Sequence, residues 1–267
     1  MRRLLAFCEA PADFRTTTGL VDRVLRDEGP PWIGDLLDSH PKGVREWADD
    51  DQGREFCDIH RVTEYARRLK LRIPQGHFDG KPGAPGASMA RTAILIARAI
   101  AKGSTPRSES KPIDAIVIVW DMDDQGDVRR LGLEQARAEA AGWAPFRVVV
   151  GCPDPMREAW MLAGFEPQSE EEKARLLALR KELGFSPCED AHRLDAKSEQ
   201  AKRSSKRVVE ALTGGDQARE ERCWTVTPLA TLRARGFGNG LRAFLDQVAS
   251  TVVPLFTSPP GREKAGS

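Results

Sequence analysis

Acidic residues crowd one short stretch of the chain, Asp121-Met122-Asp123-Asp124, and Asp127 follows close behind. They come directly after the apolar run Ala115–Trp120. Carboxylates packed together repel and raise each other's pKa values. A cation relieves that conflict, and hard oxygen ligands select Mg²⁺ or Mn²⁺. Asp121 and Asp123 alternate, so both can approach one ion where the backbone turns. Asp124 then either binds a second ion or stays in solvent. The competing reading makes these acids a solvated turn or a helix cap.

Two further apolar runs end in the same way. Leu4–Cys8 leads to Glu9, with Asp13 four residues on. Phe146–Val150 leads to Gly151-Cys152-Pro153-Asp154, with Glu158 one helical turn beyond. Taken singly, Asp13 reads equally as a loop residue in solvent. Asp154 reads as an N-cap, and Glu158 as a first-turn acid that suits the helix dipole. Taken together, three runs deliver acids to what would be one edge of a sheet.

Those runs must be strands for that edge to exist. Ile113–Trp120 is a continuous β-branched stretch, as expected of a parallel strand buried on both faces. Thr16-Thr17-Thr18 reads as the cap of a helix over about 19–27. Further helices are expected at 62–70, at 89–102 behind a Ser88 cap, and at 127–141, 155–163, 170–183, 204–212 and 241–253. Gly76–Gly86, with its repeated glycines and prolines, reads as loop, and Ser104–Lys111 as a polar connector. The alternation of strands and helices predicts an α/β fold: a mostly parallel sheet flanked by helices, with a helical C-terminal portion. The expected organisation is one domain over 1–255 with an irregular insertion at 29–87. The end of the chain, 256–267, reads as a disordered tail. In open parallel sheets ligands bind beyond the carboxyl ends of the strands, where these acids fall.

The acidic pattern resembles the Toprim family, which places a Glu after its first strand and a DxD after a later one. Glu9-Ala10-Pro11-Ala12-Asp13 and Asp121-Met122-Asp123 carry the likeness. The stretch Val148–Ala163, with Glu158-Ala159-Trp160, is similar to a third block of a small bacterial Toprim-like family, the DUF4276 proteins. Ser205-Lys206-Arg207 is weakly similar to a lysine-bearing helix start there. The likeness covers about 1–28 and 88–210. It departs from the pattern at Ala10, where a Gly is usual, and at the bulky Trp120.

The resemblance implies metal-assisted phosphodiester cleavage, as in Toprim nucleases of the OLD type. Glu9, Asp121 and Asp123 would hold the first ion, with Glu9 as a ligand or general base. Glu158 and Asp124 would serve a second ion, and Asp13 lies in reach of the same set. Two ions about 4 Å apart activate water and stabilise the leaving oxygen. Lys206 or Arg157 would neutralise charge developing on phosphorus. By family analogy the partners would be nucleic acid and an ATPase encoded nearby, in a setting of bacterial defence.

Basic clusters offer a phosphate track. Lys202-Arg203-Ser204-Ser205-Lys206-Arg207 is the densest, and Arg67–Arg72 is second. Backbone phosphates are held by such residues without sequence readout; the plain alternative is a solvated helix face. A net charge of only +1 gives no global positive field. The four histidines, His40, His60, His77 and His192, form no ligand spacing.

Other classes fit less well. A P-loop is excluded by the order of the glycines, and no GxSxG elbow occurs. A haloacid-dehalogenase-like phosphatase would use Asp121 as nucleophile. It would carry Thr or Val where Gln125 stands, and it leaves Glu9 unexplained. A non-catalytic, antitoxin-like binding protein on the same scaffold is the third reading. Five cysteines without CxxC spacing disfavour a zinc site and suit a reducing cytoplasm. No apolar run reaches the roughly 18–20 residues of a membrane span. A homo-oligomer is compatible with the sequence.

Overall fold

The computed structural model describes residues 1–50, 52–73, 77–78, 81–103, 111–123 and 125–257. The chain opens with β1 (Arg2–Cys8) and α1 (Pro11–Glu28), then α2 (Trp32–Ser39), α3 (Pro41–Val44) and β2 (Arg45–Trp47). The short β3 (Cys57–Asp58) precedes a 3₁₀ turn and α4 (Val62–Arg68), and β4 (His77–Phe78) pairs with β5 (Lys81–Pro82). The central unit follows: α5 (Ala87–Ala101), β6 (Ala115–Val119), α6 (Gly126–Ala140), β7 (Arg147–Gly151) and α7 (Arg157–Ala163). The remainder is helical: α8 (Glu170–Leu183), α9 (Ser205–Thr213), α10 (Gln217–Thr225), α11 (Leu229–Arg235) and α12 (Leu241–Thr251).

The fold is α/β, with a parallel sheet flanked by helices. Sheet order is β2-β1-β6-β7, and β3 adds to the free half of β1 beyond β2. Every pairing in this sheet is parallel. Phe7 aligns with Ile118, and Val119 with Gly151, so β1, β6 and β7 end side by side.

The continuous apolar runs are explained by burial on both faces. Leu4, Ala6, Cys8, Ala115, Val117, Val119 and Val149 enter the core under α1, α7 and α12. Leu5, Phe7, Ile116, Ile118, Trp120, Val148 and Val150 enter the opposite core under α4, α5 and α6. Successive strand residues point to opposite faces, so a sheet covered twice needs apolar residues throughout. Among the described residues, no helix is long and apolar enough to cross a membrane.

Several expectations change. The helix expected from residue 19 begins at Pro11. The threonines lie inside it, and Thr16 returns its hydroxyl to the Ala12 carbonyl (3.1 Å) instead of capping. Helix α5 starts after Gly86, which has φ +85°, and Ser88 lies within its first turn. Asp154 is not the cap of α7, because Met156 takes that position. The stretch 29–87 is more regular than expected: it contributes β2, β3 and three short helices, and within Gly76–Gly86, expected as loop, β4 pairs antiparallel with β5. Parts of Gly76–Gly86, most of the connector 104–111, and the tail from Ser258 lie outside the described residues. Phe256, at the start of that tail, is buried.

Candidate metal centre

The acidic turn is built by extending the β6–β7 pairing past the strand ends. The Trp120 N–H donates to the Gly151 carbonyl (3.1 Å), Met122 N–H to Pro153 (2.9 Å) and Asp123 N–H to Pro155 (2.8 Å). Asp123 then turns the chain with φ +48°, a conformation Asp tolerates better than most residues. The β7 side is fixed from below by Asn239. Its carbonyl accepts from Asp154 N–H (3.0 Å) and Trp160 Nε1 (2.8 Å), and its side chain donates to the Ala159 carbonyl (2.8 Å). Gly240, at φ +82°, lets this loop approach, since a Cβ there would lie 2.1 Å from the Cys152 carbonyl oxygen.

Five acids meet at this edge. Glu9 follows β1 directly. Asp13 sits in the first turn of α1, where its carboxylate accepts the Ala10 N–H (2.9 Å). Ala10 is extended at φ −145°, so the usual glycine is not required by the backbone. Asp121 follows Trp120, and its Oδ1 accepts the Arg157 N–H at the start of α7 (3.0 Å). This carboxylate does the capping that Asp154 does not. Asp123 stands on the turn, and Glu158 is buried in α7. Asp124 lies outside the described residues.

Their charges act on one another. Asp121 is pushed well above the usual carboxylate range, first by burial and then by Asp13, Glu9, Glu158 and Asp123. Burial also raises Glu9, with Asp123 and Asp13 adding and His60 opposing. Burial raises Asp13 against the pull of Arg157 and the Ala10 N–H. A carboxylate shifted this way stores a demand for positive charge.

Three cations face the acids, unevenly. Arg157 lies between Asp13 and Glu158, with Nε 3.3 Å from Asp13 Oδ1 and a terminal nitrogen 2.9 Å from Glu158 Oε1. Arg129 pairs with Asp123 (3.0 Å), donates to the Asp121 carbonyl and stacks over the Trp120 ring (4.5 Å). Lys206, near the start of α9, acts on Asp13, Asp121 and Glu158 while its Nζ bonds Glu199 (2.8 Å). Asp121 has no ion pair among the described residues. Among the described residues, Glu9 Oε1 is buried without a hydrogen-bond partner, and its other oxygen meets only His60 Nε2, at 3.6 Å.

The rest of the expected phosphate track is placed differently. Arg203 donates to the Arg193 carbonyl (2.8 Å) and pairs with Asp195 (3.2 Å). Arg207 pairs with Glu182 (3.0 Å). Lys202 is exposed in the turn before α9. Of that cluster, Lys206 is the residue that ranks among the leading influences on the acids.

Two residues at the site were not singled out from the sequence. His60 arrives on the 3₁₀ turn after β3 and meets Trp120 edge-on (centroids 6.3 Å, 87°). A two-residue strand gives no readable pattern, so the signal was absent. Arg129 was legible in principle as a basic residue one turn into the helix after the acidic turn. Trp120, a departure from the family pattern, is the surface both residues rest on.

No family model, curated protein or solved structure matches this chain. Among the described residues, no three His, Cys, Asp or Glu side chains are set as they stand to hold a metal. Magnesium, however, is typically bound by one or two carboxylates plus waters and substrate phosphates. Glu9 and Asp121 fit that donor set: hard oxygens on adjacent strands, one with an orphaned buried atom, and no fixed cation paired to either.

Proposed function

We propose that this protein is a Toprim-like, metal-dependent nuclease, related in pattern to the DUF4276 proteins, that cleaves phosphodiester bonds of nucleic acid. The observation that carries the reading is the pair Glu9 and Asp121 at the ends of β1 and β6, where Glu9 meets only the titratable His60 and Asp121 has no ion pair among the described residues. These two would hold Mg²⁺ or Mn²⁺, while Asp123 is engaged by Arg129. Such an ion, when bound, polarises a phosphoryl oxygen and lowers the pKa of bound water.

The chain's own groups do the rest. Arg157 and Lys206 place fixed positive charge where the phosphoryl group becomes more negative. His60 and the outer oxygen of Glu9 stand where a proton can be taken from water. Arg129 orients Asp123 through its ion pair. By analogy with the same family, the setting is bacterial defence in the cytoplasm with an ATPase partner.

Incubating the protein with plasmid, single-stranded DNA and RNA, with Mn²⁺ or with EDTA, tests the reading. Metal-dependent cleavage that disappears in Glu9→Gln and Asp121→Asn, both still folded, is expected. Cleavage untouched by either substitution sinks the assignment. A borohydride-trapped phosphoaspartate at Asp121 would transfer it to the phosphatase class.

A further inference from the structure

Resting on the metal-dependent reading above, we propose that this edge takes a single divalent ion. The Arg157 guanidinium then stands where the second cation of a two-ion site would be. The five described acids divide into two sets by what already neutralises them.

Asp13 and Glu158 are committed. Arg157 bridges them at 3.3 Å and 2.9 Å, and the three side chains are only 11–13% exposed. The remaining oxygen of Asp13 accepts the Ala10 N–H. Another Arg157 nitrogen reaches the Thr16 hydroxyl (3.4 Å), and its backbone N–H holds Asp121. The guanidinium is therefore held from α1 and α7, and the backbone that carries it from the end of β6. A guanidinium keeps its charge at any working pH and offers planar donors matched to carboxylate and phosphate oxygens. A second ion at Glu158 would have to displace it and leave a buried Arg unpaired, which is costly.

Asp123 is held outward by Arg129 and is 47% exposed on its side chain. That leaves Glu9 and Asp121 without a fixed counter-charge. Their two negative charges match one divalent ion. The arrangement exchanges a removable cation for a covalently attached one. It predicts that the ion needed for activity binds as one per chain, with the transition-state charge shared between that ion and Arg157.

Mn²⁺ titration of the full-length protein, followed by calorimetry and by the electron paramagnetic resonance signal of free Mn²⁺, tests this. Wild type should bind one ion per chain. Glu158→Gln and Asp13→Asn should keep it, weakened by no more than roughly 10–100-fold, as expected of residues behind the ligand set. Glu9→Gln and Asp121→Asn should lose it. Arg157→Ala should gain a second ion, and Arg157→Lys should not. Two ions on wild type, loss of the ion in Glu158→Gln, or a single ion on folded Arg157→Ala would overturn the proposal. If Arg157→Ala does not fold, wild type and Glu158→Gln decide. Absence of any Mn²⁺ on wild type would instead remove the metal-dependent reading on which it rests.

Discussion

Glu172 is a buried acid and Asp121 a half-buried one, and their surroundings push them in opposite directions. Glu172, on α8, receives two guanidinium donors from Arg219 (2.7 and 2.9 Å) and the Gln168 N–H (2.7 Å). Arg219 also donates to the Glu166 carbonyl (2.8 Å) and covers the Phe165 ring at 4.4 Å. The Arg219 hydrogen bond leads in holding Glu172 below the usual carboxylate range. Asp121 receives one backbone N–H and faces four other acids, and it is driven up. The first arrangement is complete and structural. The second lacks a fixed positive charge among the described residues, which is why the proposed ion is assigned to it.

The contrast can be broken most sharply by removing the Asp121 charge. Asp121→Asn, tested by Mn²⁺-dependent cleavage, should lose roughly 10³-fold or more, because a lost metal ligand forfeits several kcal/mol of transition-state stabilisation. Arg219→Ala should leave metal binding alone and destabilise the fold by about 3–5 kcal/mol, since it strands a buried carboxylate; urea denaturation reads this directly. Little change in stability would mean that Glu172 is less committed than its contacts indicate.

Lys206→Ala should reduce cleavage by roughly 10–100-fold with a small effect on stability, because its charge acts on the acids from the rim. The smallest effect concerns pH. Asp121, Glu9 and Asp13 have folded-state pKa values above their unfolded ones, so the folded state holds protons that the unfolded chain releases. The stability this gives is fully present below about pH 4 and is lost as pH rises through the raised values. Relative to Asp121→Asn, metal-free wild type should therefore lose stability as pH climbs toward neutrality, and Mn²⁺ should restore it. Asp121→Asn should raise the metal-free melting temperature at neutral pH by roughly 2–4 °C per kcal/mol of repulsion relieved. A fall would mean that its capping bond to Arg157 outweighs the repulsion.

Much of the frame was legible beforehand. The β-branched run at 115–119 and the apolar run ending at Cys8 are long enough to announce buried parallel strands. Helix α8 matches its expected limits because Ser169 accepts the Glu172 N–H at one end and Gly184, at φ +77°, closes the other. Where capping signals were ambiguous, the limits moved. Thr16 and Thr18 bond back into their own helix α1, and Asp154 yields its expected role to Asp121, a partner that no local pattern reveals. Strands β2 and β3 escaped notice because two or three residues carry no period, and His60 escaped with them.

The sequence by itself determined which chemistry was available. Acids directly after apolar strands are hard oxygen donors, and parallel strands must place their carboxyl ends together because every crossover returns the chain to the same starting edge. Only the tertiary structure decided how the acids divide. Arg157 is adjacent to Glu158 in the chain, yet its hold on Asp13 joins residues from two different helices. Arg129 reaches Asp123 across a turn, while Arg203 and Arg207 spend their charge elsewhere. Ion pairing falls off over a few ångströms and depends on which side chains the packing brings within reach, so no spacing along the chain could show that Glu9 and Asp121 are the pair left without a fixed counter-charge.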